Sequence, residues 1–166
     1  QDLHYNVERV MNSELLFSDQ FTVEHYKNFV LKSYNYIETI LNIDTEFLNE
    51  YQTILKQKKI ALQTDLDHLN INQNQVVIHA VNNTNAHHHL GLVYIVLGAM
   101  LGNKLILNKL KQNQGFVNFP FAYLSQHQEN LSEIWKSFQQ KIDQLTPEQL
   151  DQVINGAKQG YSLFSI

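Results

Sequence analysis

Apolar residues recur along most of the chain at three- and four-residue intervals, and strict alternation is nearly absent, which predicts an all-α domain. Leu3, Val7, Val10 and Met11 give an opening helix one apolar face that fades near Asn12 and Ser13. Thr22 is placed to cap a second helix, with Tyr26, Phe29, Val30, Ser33, Tyr34 and Ile37 along one stripe to about Leu41. Asp44 then caps a third, carrying Phe47, Leu48, Tyr51, Ile54 and Leu55 into the cluster Lys56, Lys58, Lys59. A shorter fourth helix follows from Ile60 to Leu69 and ends in the amide-rich loop Asn70 to Gln75.

Val76 to Val81 is β-branched, but a lone strand would lack a partner, so the segment reads as the start of another helix. Asn82, Asn83, Thr84 and Asn85 break the pattern and offer caps for a long helix from Ala86 to Lys111. Gly115 to Pro120 reads as a loop with Phe116, Phe119 and Phe121 packed inward. A further helix from Asn130 to Leu145 carries Leu131, Ile134, Trp135, Phe138 and Ile142 on one face. The last helix has the clearest start: Thr146 at the cap, Pro147 at the first helical position and Gln149 closing a capping box.

Composition narrows the possibilities. The 166 residues, without Cys and with two Pro, fit one domain over 1–166 rather than a disulfide-stapled or multidomain chain. Twelve basic and sixteen acidic side chains leave a net charge of −4, and Arg9 is the only Arg, which excludes a nucleic-acid binder with a basic stripe. Polarity rests instead on 18 Asn and 17 Gln. The longest apolar run, Leu90 to Leu101, is shorter than the roughly twenty residues of a membrane span. The expectation is a cytoplasmic monomer without a membrane span.

Gly91, Gly98 and Gly102 interrupt the most apolar helix, and each interior Gly costs about 1 kcal/mol relative to Ala. Gly98 and Gly102 share a face, where bare backbone permits a kink, a close helix crossing or the approach of a flat ligand. Among eight His, His4 shares a helix face with Val7 and Met11, which suits an axial ligand or a satisfied core imidazole. His87, His88 and His89 point three ways around a helix and read as a solvated start. Asp65 and His68 have an i, i+3 spacing used in carboxylate-bridged metal sites, but no second such motif accompanies them, so they read as surface residues. A nucleophile elbow and a phosphate loop are both absent.

The stretch Leu90-Gly-Leu-Val-Tyr94-Ile-Val-Leu-Gly98-Ala-Met-Leu-Gly102-Asn resembles the distal helix of bacterial heme oxygenases, whose pattern runs approximately L-G-x-x-Y-V-x-E-G-S-x-L-G-G/A. Leu3-His4-Tyr-Asn-Val-Glu8 is similar to that family's proximal L-H-x-x-x-E. Further stretches agree in order: Phe21 to Tyr26 leading to Tyr34, Tyr36 and Glu38; Leu62 to Leu69; and Trp135-Lys-Ser-Phe138. The resemblance implies a single-domain heme oxygenase-like bundle with a Gly-kinked distal helix. It implies His4 as the axial iron ligand, Tyr94, Arg9 and Lys104 as partners of the heme propionates, and Gly98, Ala99, Gly102 and Asn103 on the oxygen side. The implied reaction opens heme to biliverdin, CO and ferrous iron, using O2 and electrons from a separate reductase or ferredoxin.

Two departures stand out. Leu97-Gly98-Ala99 replaces the family's Glu-Gly-Ser, and Asn103 replaces the second Gly or Ala. Ordered water normally delivers protons on the distal side, and Ala99 cannot hold it through a side chain, whereas Asn103 or freed backbone carbonyls could. The alternative is a degenerate member that binds heme or a bile pigment without efficient turnover. A thiaminase-like enzyme would need a Cys nucleophile, and a di-iron oxidase would need paired Glu and His motifs.

Overall fold

A computed structural model describes Ser18, residues 20–126 and residues 129–165; the opening helix, with His4 and Arg9, lies outside those residues. Helix α1 (Val23–Leu41) begins at Thr22 in a capping box closed by an imidazole: the Thr22 amide donates to His25 Nδ1 at 3.0 Å, and the His25 amide donates back to Thr22 Oγ1. Tyr26, Val30, Tyr34 and Ile37 form one buried stripe, while Tyr36 and Ile40 bury a second side. Helix α1 is therefore packed on more than one flank.

A 3-10 turn at Glu46–Tyr51 runs directly into α2 (Gln52–His68). The break expected between a third and a fourth helix does not occur. Ile54, Leu55, Leu62 and Leu66 keep one helical register, and Lys58 falls within it and is buried. The lysine cluster is thus continuous helix rather than a terminus, and the Lys59 ammonium pairs with Glu38 of α1.

The helix expected from Val76 is also replaced. Residues 76–85 contain no helix, and the amides of Val77 and His79 donate to Asn35 Oδ1 and Thr39 Oγ1 of α1, each at 3.0 Å. These side chains satisfy donors that an α-helix would have turned on its own carbonyls, and the β-branched residues favour the open conformation.

Helix α3 (Ala86–Lys111) has the predicted bounds, and Asn85 Oδ1 accepts from the amides of His87 and His88 at 2.9 and 3.2 Å. After the turn at Gln114–Phe116 come α4 (Ala122–Ser125), α5 (Leu131–Asp143) and α6 (Pro147–Ser165). The α6 box forms as predicted: the Thr146 amide donates to Gln149 Oε1 at 3.0 Å, and the Gln149 amide donates to Thr146 Oγ1 at 3.3 Å. Among the described residues the protein is all-helical, with no strand. Helix α3 alone among them has the length and mean hydropathy to cross a membrane, and 56% of its most apolar stretch is buried inside the fold.

Asp65 corrects the surface reading. It is fully buried; Oδ1 accepts from the Ala122 amide at 2.8 Å, and Oδ2 from the Tyr123 amide and the Tyr26 hydroxyl at 3.0 and 3.2 Å. Burial pushes its carboxyl above the usual range, while the hydrogen bonds pull in the opposite direction. The carboxylate ties α1, α2 and the α4 start together. His68 stays exposed and lies edge-on to Phe119.

Helices α3 and α6 cross at backbone contact. A Cβ at Gly91 would overlap the Val153 carbonyl and approach the Ala157 nitrogen to 2.6 Å, and one at Gly156 would overlap the His88 carbonyl. We expect Gly91→Ala or Gly156→Ala to cost about 3 kcal/mol or more, read as a large fall in the urea midpoint of unfolding. A midpoint within error of the parent would show that the two helices are not in contact there.

Candidate functional site

Tyr94, Gly98 and Gly102 lie one turn apart along a single face of α3. Among the described residues nothing lies within 4 Å of where a Cβ would sit at Gly98 or Gly102. The close helix crossing that a glycine pair permits is therefore made at Gly91, and the later two present open backbone. Leu101 and Leu105 beside them are 48% and 63% exposed, so the face is apolar as well as bare.

At its N-terminal end this face meets a cleft of about 790 Å³ between α5 and α6, lined by Tyr94, Trp135, Phe138, Ile142 and Val153, with Lys136 and Gln139 among its polar groups. Its size and apolar character suit a small-molecule site. Tyr94 packs on Trp135 and Phe138 with centroids 6.0 and 6.2 Å away, and those two rings stack at 5.8 Å and 12°. The motif Trp135-Lys-Ser-Phe138 thus supplies an aromatic wall, a role not assigned from sequence. Lys136 was also missed there; its signal was being the single cation within that motif.

Of the expected site residues, the structure aligns Tyr94, Gly98 and Gly102. Ala99 is half-buried and Lys104 is exposed. Asn103 is buried beside the Tyr123 hydroxyl, about 100° around the helix from Gly102. His4 and Arg9 fall outside the described residues.

The histidine run is a further correction. His88 and His89 are buried, with Nε2 held 2.6 Å from Gln159 Oε1 and from the Asn83 carbonyl, respectively. The carbonyl only accepts, so His89 carries its proton on Nε2. Their role is to seat α6 and the 76–85 segment on α3. Among the described residues no three His, Cys, Asp or Glu side chains gather as a metal site.

Lys58 sits under α4 with Nζ 5.2 Å from the Tyr123 ring centroid, and among the described residues no carboxylate pairs with it. Burial pulls its ammonium down to about 8. The unfolded chain then binds more protons between that value and the ordinary lysine range, so this group makes stability rise as pH increases through that window. We expect Lys58→Met to be more stable than the parent at pH 7 and to lack the alkaline rise. Parallel urea titrations at neutral and alkaline pH check this, and an unchanged rise would assign it to another group. Set against models of known protein families and against curated proteins, the sequence matches none.

Proposed function

We propose that the protein is a heme oxygenase, with heme as substrate lying against the bare backbone of α3 at Gly98 and Gly102. The observation that carries this reading is the space over those two glycines, which no described residue fills. An unfilled glycine pair on an apolar helix, adjoining an aromatic-walled cleft, fits a flat macrocycle, because any side chain there would occupy the ring's place. The proposal includes a heme oxygenase-like bundle whose distal helix bends at Gly98 and Gly102.

In this reading His4 supplies the proximal nitrogen. Tyr94 donates from its hydroxyl to a propionate, and Arg9, Lys104 and Lys136 offer the few cations for the dianionic edge. Bound heme supplies the iron at which O2 is activated, with electrons from a transient reductase or ferredoxin in the cytoplasm, and the products are biliverdin, CO and ferrous iron. The bare backbone at Gly98 and Gly102 would admit the flat ring close to α3, where a side chain would hold it off. Water for proton delivery would rest on α3 carbonyls, since Ala99 has no polar group and Asn103 is turned inward. That same pair of observations favours the second reading, a heme or bile-pigment binder without efficient turnover.

Trp135 is the single Trp and faces the cleft beside Tyr94. Hemin is therefore expected to quench most of the protein's tryptophan emission at one equivalent and to develop a Soret band that His4→Ala alters. Reduction with ascorbate or a ferredoxin system in air should replace the Soret band with biliverdin absorption. A Soret band that persists selects the binder, and unquenched Trp135 with no Soret band overturns both readings. Gly98→Ala and Gly102→Ala separate stability from function: each should stabilise the fold by up to about 1 kcal/mol through helix propensity while slowing pigment formation at least about tenfold. Variants that keep full turnover would place the ligand elsewhere.

A further inference from the structure

The 76–85 segment carries chemistry unrelated to the site above. Asn35 and Thr39, which receive the Val77 and His79 amides, are one turn apart on α1. Their separation of about 6 Å along the axis matches the roughly 6.6 Å spanned by two extended residues. The segment therefore runs alongside α1 in an extended form, with the amides of residues 77 and 79 turned toward the helix. Successive groups in an extended chain point opposite ways, so those of Ile78 and Ala80 face outward. Val77 and Ile78 are 50% and 53% exposed.

Such an edge is ordinarily blunted by Lys, Pro or an inward charge. Here neither an acidic residue nor Lys or Arg occurs anywhere from His68 to Asn103, and the segment has no Pro. We propose that this edge pairs with the same edge of a second copy of the chain, antiparallel about a two-fold axis at His79. Ile78 of one copy then lies opposite Ala80 of the other, and the reverse. Each pair exchanges two N–H···O bonds, and His79 faces His79 at the non-hydrogen-bonded position between them. The outward groups at 78 and 80 are symmetric about 79, so the register is self-complementary. A neutral strand meets no uncompensated charge here, whereas a charged partner strand would find nothing to pair with.

Sedimentation velocity on the full chain tests this. The protein should move toward twice its 19.4 kDa mass as concentration rises to about 100 µM, the range of a modest interface. Ala80→Pro removes one outward donor per copy while leaving the amides of 77 and 79 on α1, and it favours the extended state that residue 79 already has. Ile78→Lys places two ammonium groups across the axis. Each variant, with helical circular dichroism retained, should raise the dimer dissociation constant about tenfold or more. A parent that stays monomeric, or variants that dimerise as tightly as the parent, overturns the proposal. A monomeric parent that binds an added peptide of sequence VVIHAV overturns the dimer, because the edge is then a docking strand for a separate chain.

Discussion

The architecture depends on the backbone contact between α3 and α6. Gly91 lies on the carbonyl of Val153, and Gly156 on that of His88. One turn beyond Gly156, Gly160 leaves room for the Tyr36 hydroxyl, which passes from α1 to the Leu92 carbonyl at 2.7 Å. Three helices are thus fixed at one point by the absence of side chains and by one buried hydrogen bond. Burial raises the Tyr36 hydroxyl well above its ordinary titration range, so it remains a donor across the accessible pH range. The His88 contact with Gln159 extends the same seam by one more polar link.

This crossing explains why α3 carries glycine in two separate roles. A helix that loses about 1 kcal/mol at each interior Gly needs an offset for each. At Gly91 the offset is visible as interhelical contact. At Gly98 and Gly102 no protein atom supplies one among the described residues, and the missing stabilisation is the physical ground for assigning that face to a ligand. The α6 seam and the open face occupy successive parts of one helix, so a ligand at the second, as proposed, would rest on a scaffold anchored at the first.

Periodicity and cap chemistry made much of the fold legible. Asn85, Thr146, Pro147 and Gln149 marked helix starts because cap side chains bond to backbone a few residues away. What escaped was decided by neighbours distant in sequence. Lys58 and Asp65 share the α2 apolar register, yet residue type argued for solvent until α4 was found covering them. Val76 to Val81 reads as helix in isolation because its acceptors, Asn35 and Thr39, lie some forty residues earlier and leave no local trace. At the candidate site the glycine pair and Tyr94 were legible as a pattern, whereas Trp135 and Lys136 became part of it only through the packing of α5 and α6.

The abundance of amides also bears on the site. Asn35, Asn85 and Asn113 join segments through neutral hydrogen bonds; Asn113, for instance, donates to the Phe21 carbonyl at 2.9 Å and accepts from the Gly115 amide. Such links are insensitive to salt, unlike exposed ion pairs. Lys27, Lys59 and Lys141 pair with Glu24, Glu38 and Glu50, and Lys58 is committed to the interior. Lys136 is the cation lining the cleft beside Tyr94, whereas Lys104, two residues after Gly102, projects about 200° around α3 from the glycine face. A scaffold joined by amides leaves Lys136 as the cleft's cation, so in a chain with a single Arg an anionic ligand of the kind proposed would meet little positive charge there and would be held chiefly by the aromatic wall and the bare backbone.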